Sequence, residues 1–253
     1  MTAEKTNHSI SLLDIAPTAA LVLGLELPRI DGRPVDHVAD WGCKKVALII
    51  IDSLGYELLL WLLPSLENMS ALIKRGLLLS AEAVSSHTTP SIASILSGLT
   101  PLHHGIFDKA GAKESSVCSI PEIAAKSGLK CAVIMEQNGA DVYRGLIDWV
   151  HGISDRISPQ DFDKEACRMS CKALSLSPDL LVAYFIGIDK CVHMGMGPEG
   201  IRSAALLIDR CIGEMTKAAH DGTLFILCGD HPIHAGPLKR CREPYHVAMI
   251  LAK

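Results

Sequence analysis

Five short apolar runs rich in β-branched residues, at 45–51, 130–135, 180–186, 223–228 and 247–252, are separated by longer stretches in which apolar residues recur at helical spacing. Runs that are apolar at nearly every position, rather than at alternate ones, belong to strands buried on both faces, as parallel strands covered by helices are. Helical spacing fits 56–74, 90–96, 120–127, 159–174 and 200–219. The alternation predicts an α/β fold, a mostly parallel central sheet with helices on both faces in a three-layer sandwich. The chain has 253 residues and no repeat, low-complexity tract or Ser/Gly-rich linker, so 1–253 reads as a single domain. Residues 99–118, with clustered His, Gly, Lys and Ser, read as a long loop, a kind of segment that is often functional.

Composition narrows the function classes. Apolar residues at 49% and charged residues at 21% exclude disorder and coiled coil as descriptions of the whole chain. A net charge of −4 without a basic run leaves no footprint for nucleic acid. The longest apolar stretches, 46–51 and 58–63, are far shorter than the roughly 20 residues of a spanning helix, so no membrane span is expected. The N-terminus lacks the cationic start and apolar run of a secretory signal. Nine cysteines are scattered rather than set in CxxC pairs, which points to free thiols in a cytoplasmic setting. No oligomeric state follows from the sequence.

In an open α/β sheet ligands collect at the carboxyl ends of the strands. Asp52 follows the first run, Asp189 and His193 the third, Asp230 and His231 the fourth. One Asp after a strand is most often a turn or cap residue, and a lone His near apolar residues is most often structural. The same chemistry at three strand ends is different, because carboxylate oxygens and imidazole nitrogens together suit Zn²⁺ or Mn²⁺. A fourth element is SSHTTPSIASILSGLTPLHHGIF, residues 85–107. Pro90 suits the first turn of a helix and places Thr88 and Thr89 around its N-cap. A hydroxyl there either caps the helix or faces the positive end of its dipole, where phosphate binds and a nearby metal could turn the hydroxyl into a nucleophile.

In order, KKVALIIIDSLGYE, Thr88-Thr89-Pro90 with its small-residue helix and Ser97-Gly98, IDKCVHMGMGP and LCGDHP resemble the motifs of the alkaline phosphatase superfamily. The likeness is greatest to its nucleotide pyrophosphatase/phosphodiesterase and phosphomutase branches. The resemblance implies two divalent ions, most simply zinc, alternatively manganese or magnesium. One would be held by Asp52, Thr88, Asp230 and His231, the other by Asp189, His193 and a further histidine. That histidine is His234, which precedes a basic loop, or His246, which abuts the last run. The implied activity is hydrolysis of a small-molecule phosphate ester, as a phosphatase or a phosphodiesterase/pyrophosphatase, through a phosphothreonine at Thr88. Residues 11–35 resemble the segment that in this superfamily follows the last strand, so the chain reads as circularly permuted.

Other readings make their own demands. A sulfatase of this fold carries Cys or Ser in Cys-x-Pro-x-Arg, where this chain has Thr88-Thr89-Pro90-Ser91-Ile92. A phosphomutase would need a cap, for which 108–160 is the only stretch at hand, and a non-catalytic binding protein would be expected to have lost ligands. Cys167 and Cys171, at i, i+4 without a second pair nearby, read as a buried helix face. His103 and His104 either touch substrate or form a structural turn, and Lys239, Arg240 and Arg242 either contact phosphate or form a solvated loop.

Overall fold

A computed structural model describes residues 9–235, 239 and 245–253. Seven strands, β1 (Lys45–Ile51), β2 (Gly76–Glu82), β3 (Cys131–Glu136), β4 (Trp149–Ile153), β5 (Leu180–Phe185), β6 (Thr223–Gly229) and β7 (His246–Ala252), form one sheet in the order β2-β7-β6-β1-β5-β3-β4. β1 pairs in parallel with both β5 and β6, while β7 runs antiparallel to β6 and β2. The expected mostly parallel α/β sheet is therefore what the chain forms. The five runs read from the sequence are the five inner strands, whose residues are almost all buried. Among the described residues no helix is long and apolar enough to cross a membrane.

Eleven helices connect the strands: α1 (Ile15–Leu23), α2 (Tyr56–Leu62), α3 (Glu67–Lys74), α4 (Thr88–Ser97), α5 (Pro101–His104), α6 (Lys109–Glu114), α7 (Ile120–Lys126), α8 (Gln137–Asp141), α9 (Pro159–Ser175), α10 (Gly187–His193) and α11 (Gly197–Ala218). α3, α9, α10 and α11 pack together on one side of the sheet, and α1, α4 and α7 on the other. Four sequence expectations need correction. The helix expected over 56–74 is two, divided by a tight turn at Leu63–Ser65, because Pro64 has no N–H to continue the ladder. The loop expected over 99–118 contains α5 and α6. β2 and β4 were not read as strands at all; both are edge strands, only half-buried, so the apolar signal is diluted. The stretch 108–160, considered as a cap, instead supplies β3 and β4 to the sheet.

Residues 11–35 clasp the far end of α4. Ser11 and Asp14 form a capping box, Asp14 Oδ1 accepts from Arg33 N–H at 2.7 Å, and Asp31 N–H donates to Gly98 O at 2.8 Å. Asp31 Oδ2 in turn accepts from Thr100 N–H at 2.7 Å, so both sides of the turn after α4 are tied to this segment. Ser11 bridges to Glu82 at one end of β2, whereas Ala252, next to Lys253, pairs with Gly76 at the other. By the rise of a strand these two points lie about 20 Å apart, so a link joining Ser11 to Lys253 would run the length of the sheet.

Register is what positions the site. Ile51 pairs with Phe185 on one side and with Gly229 on the other, so β5, β1 and β6 end level. The residues that follow these three strands emerge together at one edge.

Candidate metal centre

Asp52 leaves β1 buried, with its Oδ2 accepting a short hydrogen bond from the hydroxyl of Tyr184, the penultimate residue of β5. The next residue, Ser53, has φ of 64°, the left-handed region, which a β-carbon makes costly by about 1–2 kcal/mol. That turn aims two donors at two carboxylates: Ser53 N–H reaches Asp230 Oδ1 at 3.0 Å, and Ser53 Oγ reaches Asp189 Oδ1 at 2.9 Å. His231 N–H adds a second bond to Asp230 Oδ1 at 2.9 Å. One strained serine thus ties together the carboxylates that follow three strands.

His231 is fixed as strictly. A carbonyl can only accept, so the contact of Nδ1 with Pro232 O at 3.0 Å puts the proton on Nδ1 and leaves the Nε2 lone pair free. Nε2 faces Thr88 Oγ1 at 3.1 Å, Asp52 Oδ1 at 3.3 Å and Asp230 Oδ2 at 3.5 Å. Ligand atoms of Asp52, Asp230 and His231 lie within 4.8 Å of one another, and all three residues are buried. A second set with the same spacing comprises Asp189, His193 and His234, which are buried, exposed and half-buried respectively. Asp189 and His193 share a face of α10, with His193 Nε2 3.5 Å from Asp189 Oδ1. The His234 ring stands edge-on between the sets, 4.7 Å from the ring of His231 and 5.1 Å from that of His193. His246 belongs to neither set; it is exposed at the first residue of β7, paired with Glu82.

Three buried side-chain atoms here have no hydrogen-bond partner among the described residues: Asp52 Oδ1, Asp230 Oδ2 and His234 Nδ1. Buried polar atoms without partners are costly, and each belongs to one of the two candidate ligand sets. Burial, reinforced by Asp230 and Asp189, holds the Asp52 carboxyl well above its ordinary range. Burial likewise pushes Asp230 up to about 7, against the two backbone N–H bonds that lower it. His234 is pushed down, by burial first and then by His231. Like-charged carboxylates gathered out of water, with unpartnered oxygens and an imidazole lone pair turned inward, fit divalent cations.

Thr88 is the first residue of α4, and its N-cap is His87, which makes no side-chain cap. The Thr88 hydroxyl is therefore not spent on capping the helix and instead meets His231 at the helix N-terminus. Pro90 lies in the same first turn, as its missing N–H allows. Thr88, Asp52, Asp189 and Lys190 line a cleft whose walls also include Ile92, Leu96, Ile106, Met135 and Val142.

Sequence reasoning passed over three residues. Ser53 looks like an ordinary turn serine, and its role exists only in the tertiary bonds it makes. Tyr184 left a faint signal, a hydroxyl near the end of an otherwise apolar strand. Asp163 is a fully buried carboxylate on α9 that accepts from Ile186 N–H at 3.0 Å and Gly187 N–H at 3.1 Å, so it holds the entry to α10. Burial raises it to about 7. Of the ambiguous pair, His104 is buried and bonded to Ser94 Oγ at 3.0 Å and to Ile106 N–H at 2.9 Å, while His103 binds Asp31; both serve the turn after α4. Lys239 is exposed, and Arg240 and Arg242 lie outside the described residues.

The family described as type I phosphodiesterase/nucleotide pyrophosphatase matches residues 46–116 and 121–251. GPI ethanolamine phosphate transferase 3 of Schizosaccharomyces pombe is 31% identical over 86 residues, which amount to 32% of this chain and 8% of that protein. Phosphonoacetate hydrolase from Sinorhizobium meliloti 1021 superposes with a TM-score of 0.64 at 17% identity, over 81% of this chain and 59% of its own. A 2-O GAG sulfatase gives 0.65 at 12%, over 82% and 64%. A protein of the alkaline phosphatase superfamily from Vibrio parahaemolyticus gives 0.59 at 15% identity, over 95% of this chain and 67% of its own. At these identities the three structures show a shared fold. The chain spans well under a tenth of the transferase and less than two thirds of the hydrolase and the sulfatase.

Proposed function

Because the chain belongs to the type I phosphodiesterase/nucleotide pyrophosphatase family, with an alkaline-phosphatase-like fold, we propose that it hydrolyses small-molecule phosphate esters with Thr88 as nucleophile and two divalent ions as cofactors. Family membership supports the coarser part, a hydrolase of phosphoryl or sulfuryl esters. The observation that carries the finer part is the Thr88 hydroxyl, free of any capping role and 3.1 Å from a buried imidazole nitrogen whose proton lies on its other side.

Asp52, Asp230 and His231 with Thr88 would hold one ion; Asp189, His193 and His234 would hold the other. The imidazoles favour zinc or manganese over magnesium. When bound, such ions supply Lewis acidity and favour the ionised form of a hydroxyl. The chain's own residues do the rest. α4 presents Thr88 Oγ1 to phosphorus, and unpaired N–H groups at its N-terminus face the phosphoryl oxygens. Attack forms a Thr88 Oγ1–phosphorus bond as the P–O bond to the alcohol breaks; the proton lost by the Thr88 hydroxyl passes to water and the departing alkoxide takes one back to leave as the alcohol. Water then cleaves the Thr88 Oγ1–phosphorus bond, releasing phosphate from a monoester or a phosphomonoester from a diester, and the threonine oxygen regains its proton. The apolar wall of the cleft accommodates the alcohol part of the ester.

The test is covalent trapping. After turnover of 4-nitrophenyl phosphate, acid quenching and peptide mass spectrometry should find a phosphoryl group on Thr88, and after bis(4-nitrophenyl) phosphate a 4-nitrophenylphosphoryl group; Thr88→Ala should show neither. Retained turnover in Thr88→Ala would sink this assignment.

A further inference from the structure

Apart from the two sets at the strand ends, the described residues bring together one more group of ligand side chains, at the α9/α11 interface on the far side of the sheet from α4. Ligand atoms of Cys167, Cys171 and Glu214 lie within 4.8 Å of one another. Cys167 Sγ donates to Glu214 Oε2 at 3.4 Å, the Cys171 and Cys211 thiols stand beside that of Cys167, and Cys211 Sγ donates to Asp163 O at 4.0 Å. The sequence shows Cys167 and Cys171 one turn apart with no second pair; packing of α11 along α9 supplies it, because Cys211 and Glu214 are also one turn apart.

We propose that Cys167, Cys171 and Glu214, with Cys211 as fourth donor, form a site for one thiophilic ion such as Zn²⁺, separate from the catalytic pair and independent of the function assigned to it. Ligands about 2.3 Å from a tetrahedral ion stand about 4 Å apart, so the 4.8 Å limit on the spacing of Cys167, Cys171 and Glu214 leaves little to close among these three, while Cys211 would turn its thiol from the Asp163 carbonyl to complete the set. Three sulfurs and one carboxylate form a donor set that selects soft ions over magnesium or calcium. Cys167 and Cys211 are buried, Cys171 half-buried and Glu214 exposed, which gives the ion an entry path at the rim. The same helix carries Asp163, which holds the backbone of Ile186 and Gly187 just before Asp189. An ion stapling α9 to α11 therefore stiffens the support of the catalytic loop.

Cobalt(II) is the probe, added to reduced protein with all thiols counted. Sulfur-to-cobalt charge-transfer absorption reports thiolate ligation, which a set of Asp, His and Thr cannot produce. Wild type should show that absorption at one equivalent beyond the catalytic pair. Cys171→Ser and Glu214→Gln, both at the accessible rim, should each weaken cobalt binding there by about 10-fold or more. Cys167→Ala/Cys171→Ala should abolish the absorption with far-UV circular dichroism unchanged. Absence of the absorption in wild type, its persistence in the double variant, or unaltered affinity in both rim variants would each overturn the proposal, as would a Cys167–Cys211 or Cys167–Cys171 disulfide in place of bound metal.

Discussion

The two ligand sets at the strand ends adjoin, yet they are built on different terms. Asp52, Asp230 and His231 are 4%, 0% and 0% exposed, and their other polar atoms are held by Tyr184, Ser53 N–H, His231 N–H and the Pro232 carbonyl. In the second set the His193 side chain is 47% exposed, and among the described residues the hydrogen bond into the set is from Ser53 Oγ to Asp189. The first set is preorganised, since its oxygens point inward before any ion arrives. The second is open on one side, where solvent can reach it. This division suits a site in which one ion stays with the nucleophile and the other serves an exchanging oxygen.

The widest gap between the sets lies in what they do for Thr88. Thr88→Ala should lower kcat by about 10³-fold or more, the scale on which nucleophile deletions act, with both ions retained by elemental analysis; loss of an ion together with activity would make Thr88 a ligand only. Asp230→Asn should weaken the ion of the buried set by about 100-fold or more, read by titration with a metal indicator, and leave the open set occupied. His193→Ala should weaken only the open set, by roughly 10–100-fold, with activity restored by excess metal, a rescue that Asp230→Asn should not show. Tyr184→Phe removes one hydrogen bond to Asp52, so affinity at the buried set should fall about 10-fold and that of the open set not at all. An equal fall at both would erase the distinction drawn between them.

The smallest effect is on pH dependence. Asp230 in the folded, metal-free chain titrates near 7, far above its unfolded value. Its stabilising contribution is complete below the unfolded value, roughly 4, and is lost as pH rises through about 7. The thermal midpoint of the metal-free protein should fall by a few degrees across that window, and metal loading should remove the fall. A midpoint that rises with pH in the metal-free protein would contradict the burial argument.

What was legible in the sequence follows the same division. The inner strands announced themselves because burial on both faces leaves runs such as Val46 to Ile51 with no polar residue. β2 and β4 did not, because edge strands keep half their surface in solvent and β4 contains His151 and Gly152. The Asp and His residues could be read because Asp52 and the pair Asp230 and His231 come straight after strands, Asp189 and His193 lie on the short helix that follows β5, and strand ends are where chemistry collects. Between His234 and His246 the sequence could not choose. The antiparallel course of β7 brings His246 to the same edge as the ligand sets but at its exposed margin, while His234 lies among their rings. The roles of Ser53, Tyr184 and Asp163 could not be read, Tyr184's faint signal included, since their partners are far away in sequence: 177, 132 and 23 residues in the bonds to Asp230, Asp52 and Ile186.

The central claim, two adjoining ions held by two separable sets, is tested most directly by metal content per chain, measured by elemental mass spectrometry on wild type, Asp52→Ala and Asp189→Ala with the α9/α11 thiols blocked. The account predicts two transition-metal ions in wild type and one in each variant. No bound metal in wild type after reconstitution with zinc and manganese, or loss of both ions in each variant, would contradict it.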